Sequence, residues 1–359
     1  MTSSEKEAEY LRTEYAKKIA ELDVIRTQAK LRGVELDSAE TSAGDSGGTS
    51  CDDNKLVANA ADVLSHIMAK VERQEGDQLI DVGDDLSGFE LSPGKITVMG
   101  APPATGKTAL AMQVCFNALA ADSEMTVVVA AADTCFPTIL KRELARVSGV
   151  HTNAIRFADF TSDQLVSLRE ASRKIGVASE RMMALQPPFT CEQLAKLGAM
   201  PPGILVVDYV QKFSSRAKDA RQGANDVMDS LKVLAFLDWS VLALSATSRQ
   251  NGKGGSNHNS QETSLASFKE SGNIEFDADA CYLLRDGGPV DELNPNVRLV
   301  TLDCVKNRHG SCKSIELTFD RPAMRFAKVE EVDDAEPHSD FTEFSESKGS
   351  SRNETEVFF

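Results

Sequence analysis

Residues Ile96–Leu110 read ITVMGAPPATGKTAL. Ile96–Met99 is a short, mostly apolar run of the kind that forms a buried strand. A turn of Gly, Ala and Pro follows. Then come Gly106, Lys107 and Thr108, and after them Ala109, Leu110, Met112 and Val114 at helical spacing. Strand, loop and helix in that order, with Gly-Lys-Thr at the loop–helix junction, are what a phosphate-binding loop requires. Backbone N–H groups of Ala104, Thr105, Gly106 and the first helical turn face phosphate oxygens in such a loop. Lys107 supplies a point charge for the β- and γ-phosphates, and the Thr108 hydroxyl can ligate Mg²⁺. One position departs from the GxxxxGK[ST] spacing. Ala101 stands where Gly is expected, with Gly100 one place early, so position 101 must tolerate a Cβ.

At 359 residues the chain is long enough for one large domain or two ordinary ones, plus tails. Its 41% hydrophobic and 26% charged content are those of a soluble globular protein. No apolar run is long enough to span a membrane. The first residues, MTSSEKEAEY, resemble neither a signal peptide nor a transit peptide, so a cytoplasmic location without a membrane partner is expected. The seven cysteines form no CxxC and have no regular spacing, which reads as reduced thiols rather than a zinc site. A net charge of −16 argues against broad attraction to nucleic acid but leaves room for a local basic channel.

Residues 1–36 form a candidate amphipathic helix, with Leu11, Tyr15, Leu22, Ile25 and Ala29 on one face. Residues 37–54, mostly Ser, Gly, Thr and Asp, are a flexible linker by composition. A second helical pattern, Val57, Ala60, Leu64, Ile67, Met68 and Val71, marks a linker helix within residues 55–76. Residues 77–328 alternate strand and helix. Strands are expected at Met125–Ala132, Gly203–Val207, Ser240–Ser245, Cys281–Leu284, Val297–Val305 and Lys313–Phe319. Helices are expected at Pro137–Val147, Thr161–Ile175, with Thr161 or Ser162 as cap, and Asn225–Leu237. Continuous apolar strands alternating with helices predict a mostly parallel α/β sheet covered on both faces. The last three strands have no long helices between them, which leaves that edge free to run antiparallel. Residues 329–359 carry ten acids against Lys348 and Arg352, a net −8, and read as a disordered acidic tail.

A Mg²⁺–nucleotide site needs a second carboxylate at the end of a neighbouring strand. Ile204–Asp208, ILVVD, delivers Asp208 to the carboxyl edge of the sheet, where ligands bind in such folds. Asp133, after MTVVVAAA, is the next strand-end acid and a candidate to orient or deprotonate the attacking water.

Five segments in order resemble the C-terminal, RecA-like ATPase domain of DnaB-type replicative helicases. LSPGKITVMGAPPATGKTALAM is similar to that family's phosphate-loop segment, in which Ala101 and Pro103 are expected features. LVVDYVQ (Leu205–Gln211) resembles its magnesium strand, and SLKVLAFLDWSVLALSATSR (Ser230–Arg249) its helix and sensor strand. FKESGNIEFDADACYLLRD (Phe268–Asp286) is close to its RESGxIEQDAD signature, and VKNRHG (Val305–Gly310) matches its Lys-x-Arg-x-Gly element. The resemblance implies a Mg²⁺-dependent, ATP-hydrolysing 5′–3′ helicase that acts on single-stranded DNA as a hexameric ring. It places Lys107 and Thr108 on phosphate and Mg²⁺, Asp208 on the metal, Asp133 at the catalytic acid and Arg142 on the nucleotide. It makes Lys306 and Arg308 fingers inserted into the neighbouring subunit's site, where cations beside a γ-phosphate stabilise its transition state.

Three features depart from the family. Asp133 is one methylene shorter than the family's Glu. The sensor strand ends Ser245-Ala246 instead of Ser-Gln. One helix and a linker stand where the family has a helical collar domain that binds primase. Asp133 and Ala246 favour an alternative, a non-unwinding, nucleotide-dependent scaffold or regulator in DNA replication. Two basic stretches are candidates for a sequence-neutral grip on DNA: Ser214–Gly223 with Arg216, Lys218 and Arg221, and Arg249–Gln261 with Arg249 and Lys253. Replication proteins are expected partners of the N-terminal helix and of the tail, whose tip ends Phe358-Phe359 after an acidic run.

Overall fold

A computed structural model describes residues 59–213, 220–247 and 274–329. Its spine is a nine-stranded sheet. The strands are β1 (Ile96–Ala101), β2 (Val127–Ala131), β3 (Met182–Ala184), β4 (Ile204–Asp208), β5 (Ser240–Ala246), β6 (Ala280–Asp291), β7 (Asn294–Asn307), β8 (Ser314–Asp320) and β9 (Arg325–Lys328). Their order is β3-β2-β4-β5-β1-β6-β7-β8-β9. Neighbours are parallel from β3 across to β6 and antiparallel from β6 to β9. The parallel core and the antiparallel edge follow from the connections: helices link the early strands, whereas β6 to β9 succeed one another through turns.

The central strands are buried on both faces, which is why they read as unbroken apolar runs. Along β4, Ile204 and Val206 join one core and Leu205 and Val207 the other. Val127 and Val129 of β2, and Leu242 and Leu244 of β5, share the first core, and their alternate neighbours lie in the second. The first core is closed by α2 (Lys107–Ala121), which is apolar nearly all round and is buried from Ala109 to Leu119 apart from Asn117. Ala101 lies in this core at 1% exposure, so its Cβ is an asset to packing where the motif would have Gly.

The second core is covered by α7 (Ala220–Phe236) and α6 (Cys191–Leu197). The other helices are α1 (Ala60–Glu72), α3 (Phe136–Ser148), α4 (Thr152–Phe157), α5 (Ser162–Ser179) and α8 (Ile274–Asp277). Thr161 caps α5 in a reciprocal box with Gln164. Helix α1 keeps an apolar stripe, Val63, Leu64, Ile67, Met68 and Val71, in solvent.

Each expected strand and helix between 60 and 328 is present. The additions are short: α4, β3, α6, α8 and β9, none longer than seven residues. Strands β6 and β7 extend well past their apolar stretches, because an antiparallel pair can carry polar residues on an exposed end. Helix α7 begins at Ala220, inside the stretch expected to be a loop. Ala220, Arg221 and Gln222 are good helix formers, and the turn they start is propagated by the helix beyond Gly223. The N-terminal helix, the first linker and the acidic tail lie outside the described residues. No described helix is long and apolar enough to cross a membrane.

Candidate nucleotide site and finger edge

Strands β1, β2, β4 and β5 finish at a common edge, since Ala101 pairs with Ala246 and Ala131 with Asp208. The phosphate loop leaves β1 here. Ala104 takes φ +65° and Gly106 φ +97°, both in the left-handed region. At Gly106 a Cβ would lie 2.7 Å from Phe319 and 2.9 Å from Phe326, whose rings stack 4.1 Å apart beneath the loop. Glycine is thus required by conformation and by space. The Thr105 hydroxyl donates to Pro102 O at 2.9 Å and so turns back into the loop. Gly106 caps α2 without a side-chain acceptor, so the first-turn N–H groups remain for an anion.

Thr108 Oγ1 donates to Asp208 Oδ2 at 2.7 Å. Asp208 is 2% exposed, and burial raises its pKa against the opposing pull of the Thr108 hydrogen bond and the Lys107 charge. Burial lowers the pKa of Lys107, countered by Asp208 and Asp133. Lys107 Nζ donates to the Ser245 carbonyl at 3.0 Å and stands 5.1 Å from the Tyr209 ring centroid. Gln211 Nε2 donates to Ser245 Oγ at 2.8 Å. Asp133 is farther out. Its side chain is 54% exposed and faces Lys212 Nζ at 4.0 Å. Arg142 lies on α3 and lines a small cleft with Thr108, Met112, Ile139, Glu143 and Met324.

Lys107, Thr108, Asp208, Asp133 and Arg142 therefore gather at one edge. Ser245, Tyr209 and Lys212 are additions. Lys212 had a readable signal, a cation directly after the Asp-Tyr-Val-Gln strand end. The role of the Ser245 carbonyl had none, because a backbone acceptor leaves no mark on the sequence.

Lys306 and Arg308 are elsewhere. Asn307 pairs with Ala280, the first residue of β6, and Arg308 N donates to Asp279 O. Asp279 exchanges hydrogen bonds with Ile96, the first residue of β1. The two cations thus sit at the opposite edge of the sheet from the phosphate loop, one strand length away. Five steps of about 3.3 Å make that ~16 Å. Lys306 Nζ donates to the carbonyls of Glu275, Ala278 and Phe276 at 2.6, 2.7 and 3.3 Å. Burial, and after it the Arg308 charge, push its pKa down. Arg308 Nη2 donates to Phe276 O at 2.5 Å, and its half-exposed side chain reaches within 3.9 Å of Asp279. Of the candidate DNA contacts, Arg216, Lys218, Arg249 and Lys253 lie outside the described residues, and Arg221 falls in the first turn of α7.

Residues 78–328 match the model of the DnaB-like helicase C terminal domain. The chain belongs to that family. The DnaB-like domain is 25% identical over 257 residues to a probable plasmid replicative DNA helicase of Chlamydia muridarum, covering 69% of this chain and 54% of the relative. It is 25% identical over 256 residues to the replicative DNA helicase DnaB of Geobacillus stearothermophilus, covering 68% and 54%. The chain thus spans about half the length of the curated relatives it matches. A solved structure of an isolated ATPase domain superposes with a TM-score of 0.65 at 21% identity, over 76% of this chain and 100% of that one. A DnaB-like replicative helicase described with its primase interactions gives 0.62 at 20%, over 92% and 81%. The DnaB-like domain has the RecA-like α/β fold of these neighbours.

Proposed function

We propose that the DnaB-like domain binds and hydrolyses Mg²⁺-ATP in a head-to-tail ring that acts on single-stranded DNA in replication. The observation that carries this reading is the Thr108–Asp208 hydrogen bond beside Lys107, at the N-terminus of a helix whose first N–H groups have no side-chain cap. Hydroxyl and carboxylate oxygens, the latter buried, suit a hard cation, and Thr108 and Asp208 are the residues that would hold Mg²⁺. Held there, the ion would supply positive charge that offsets that of the phosphates. Lys107 leaves the Ser245 carbonyl for the phosphates, and the loop amides replace their hydration. Asp133 orients the water, at a reach one methylene short of the family's acid. Arg142 lies along the cleft beside Met112 and Met324, where it can meet the rest of the nucleotide.

Action in trans is supported by distance. Arg308 lies a strand length from its own chain's phosphate loop, so the γ-phosphate it can serve belongs to a neighbour. A closed ring satisfies every such head-to-tail contact. The bare apolar stripe of α1 supports assembly with another copy. The names of the curated relatives support replication as the setting.

The test is ATP hydrolysis by the full chain with and without single-stranded DNA, together with strand displacement on a forked duplex. DNA-stimulated turnover with displacement is expected. Turnover without displacement would favour the scaffold reading, which Asp133 and Ala246 support. Absence of nucleotide binding would overturn both.

A further inference from the structure

We infer that Lys212 is a γ-phosphate contact from within the same chain, kept on the Asp133 carboxylate until a triphosphate draws it away. The inference rests on the reading that the phosphate loop holds ATP.

The two side chains start from neighbouring strand ends. Ala132 N donates to Asp208 O at 2.7 Å, which ties the residue before Asp133 to the end of β4. Beyond Asp208 the chain makes a single 3₁₀ turn, Val210–Lys212. Lys212 N donates to Tyr209 O at 2.9 Å and Phe213 N to Val210 O at 3.2 Å, and Val210 and Phe213 are buried. Gln211 is bonded through Nε2 to Ser245 Oγ. The backbone beneath Lys212 is therefore fixed, while half of its side chain stands in solvent.

One ring places its ammonium relative to the phosphate site. The Tyr209 centroid is 5.1 Å from Lys107 Nζ and 5.7 Å from Lys212 Nζ. The Asp133 charge acts on both Lys107 and Asp208. The four groups thus form one electrostatic cluster, with Lys107 and Asp208 inside and Asp133 and Lys212 at its mouth. The outer pair is loose. At 4.0 Å Lys212 and Asp133 attract one another without a hydrogen bond, and both side chains are about half exposed. A γ-phosphate carries more charge than one carboxylate and offers several acceptor oxygens. An ammonium on a flexible four-carbon stem can exchange the one partner for the other. A diphosphate lacks that group and leaves Lys212 where it is. The exchange also frees Asp133 to meet a water only when there is a γ-phosphate to attack.

The test measures the affinity of the full chain for a non-hydrolysable ATP analogue and for ADP, both with Mg²⁺. In Lys212→Met the analogue should bind ~10-fold more weakly, as for a lost hydrogen bond to a charged group, with ADP affinity within about two-fold of wild type. A merely structural role would move both nucleotides together or neither. Lys212→Arg should recover most of the loss. Asp133→Asn removes the resting partner and should tighten the analogue a few-fold. That gain should vanish in the double variant with Lys212→Met, because the two sites share one ammonium. A wild-type ratio of analogue to ADP affinity in Lys212→Met would overturn the inference, as would an undiminished gain in the double variant. Lys107→Ala keeps the two readings apart. Full affinity for both nucleotides in that variant would overturn the phosphate-loop reading itself. Loss of both there, beside a wild-type ratio in Lys212→Met, would sink the role of Lys212 alone.

Discussion

The two edges of the sheet treat charge in opposite ways. At the carboxyl edge, Lys107, Thr108 and Asp208 are drawn inward and bonded to groups of their own chain. At the other edge, Arg308 stands half in solvent on one short bond. A group that must be ready for an incoming ligand is pre-organised, and the desolvation it suffers appears as the displaced pKa values of Lys107 and Asp208. A group that must be delivered to another molecule has to remain releasable. On the proposed reading, the contrast separates a receiving site from a donating one within a single domain.

The sharpest way to break the comparison is Lys107→Ala. Turnover should vanish and nucleotide binding collapse; preserved ATP hydrolysis would end the receiving-site reading. Next is Arg308→Ala, expected to cut turnover ~10³-fold, the lower end for arginine fingers, with ATP affinity within a few-fold. Mixing it with Lys107→Ala subunits should recover activity, since each variant supplies what the other lacks. Intact mixed rings without recovery would argue that Arg308 does not act across an interface. Asp133→Glu restores the missing methylene and should raise turnover by ~10-fold, because about 1 Å of misplacement can cost ~10²-fold. An unchanged rate would mean that Asp133 does not touch the water.

Gly106→Ala sharpens the structural half of the contrast. Its Cβ would collide with the stacked Phe319 and Phe326 rings at a positive φ, at a cost of about 1–3 kcal/mol. A melting temperature lowered by several degrees is expected, and an unaltered melt would show that the rings give way. The smallest effect concerns Glu143, 3% exposed and paired with Arg146. Burial holds its carboxyl above the ordinary range in spite of the Arg146 hydrogen bond and charge. A raised folded-state pKa contributes stability below the unfolded value and loses it as pH climbs through the folded one. The stability of Glu143→Gln relative to wild type should therefore improve as pH rises from about 4 to 7. The opposite slope in paired melts would show that Arg146 outweighs burial.

Much of the receiving site was legible because its chemistry and its scaffold share a signal. Gly106-Lys107-Thr108 opens an apolar helix and Asp208 ends an apolar strand, so periodicity located them and residue type suggested their chemistry. The finger edge was legible only as a pair of cations in VKNRHG. Their anchorage is made by the carbonyls of Glu275, Phe276 and Ala278, and main-chain acceptors are the same in every residue. The short elements were missed for a related reason. Met182–Ala184 and Cys191–Leu197 are too brief to complete a period, and tertiary contact selects their conformation. Glu143 left a faint trace, an acid three residues before Arg146 on the inner face of α3.

Gly100 of β1 pairs with Leu283 of β6, and Leu283 with Asp303 of β7, so paired strands, with one irregularity at Cys281/Tyr282, join the phosphate loop to β7, whose last residue, Asn307, precedes Arg308. Backbone ladders of this kind shear and stretch very little. On the proposed reading, each subunit of a ring built from such domains is a gauge between the phosphate it would hold and the cation it would lend. On that reading, motion driven by nucleotide would be taken up at the joints between subunits, and the angle at each joint would become a record of whether its site is full.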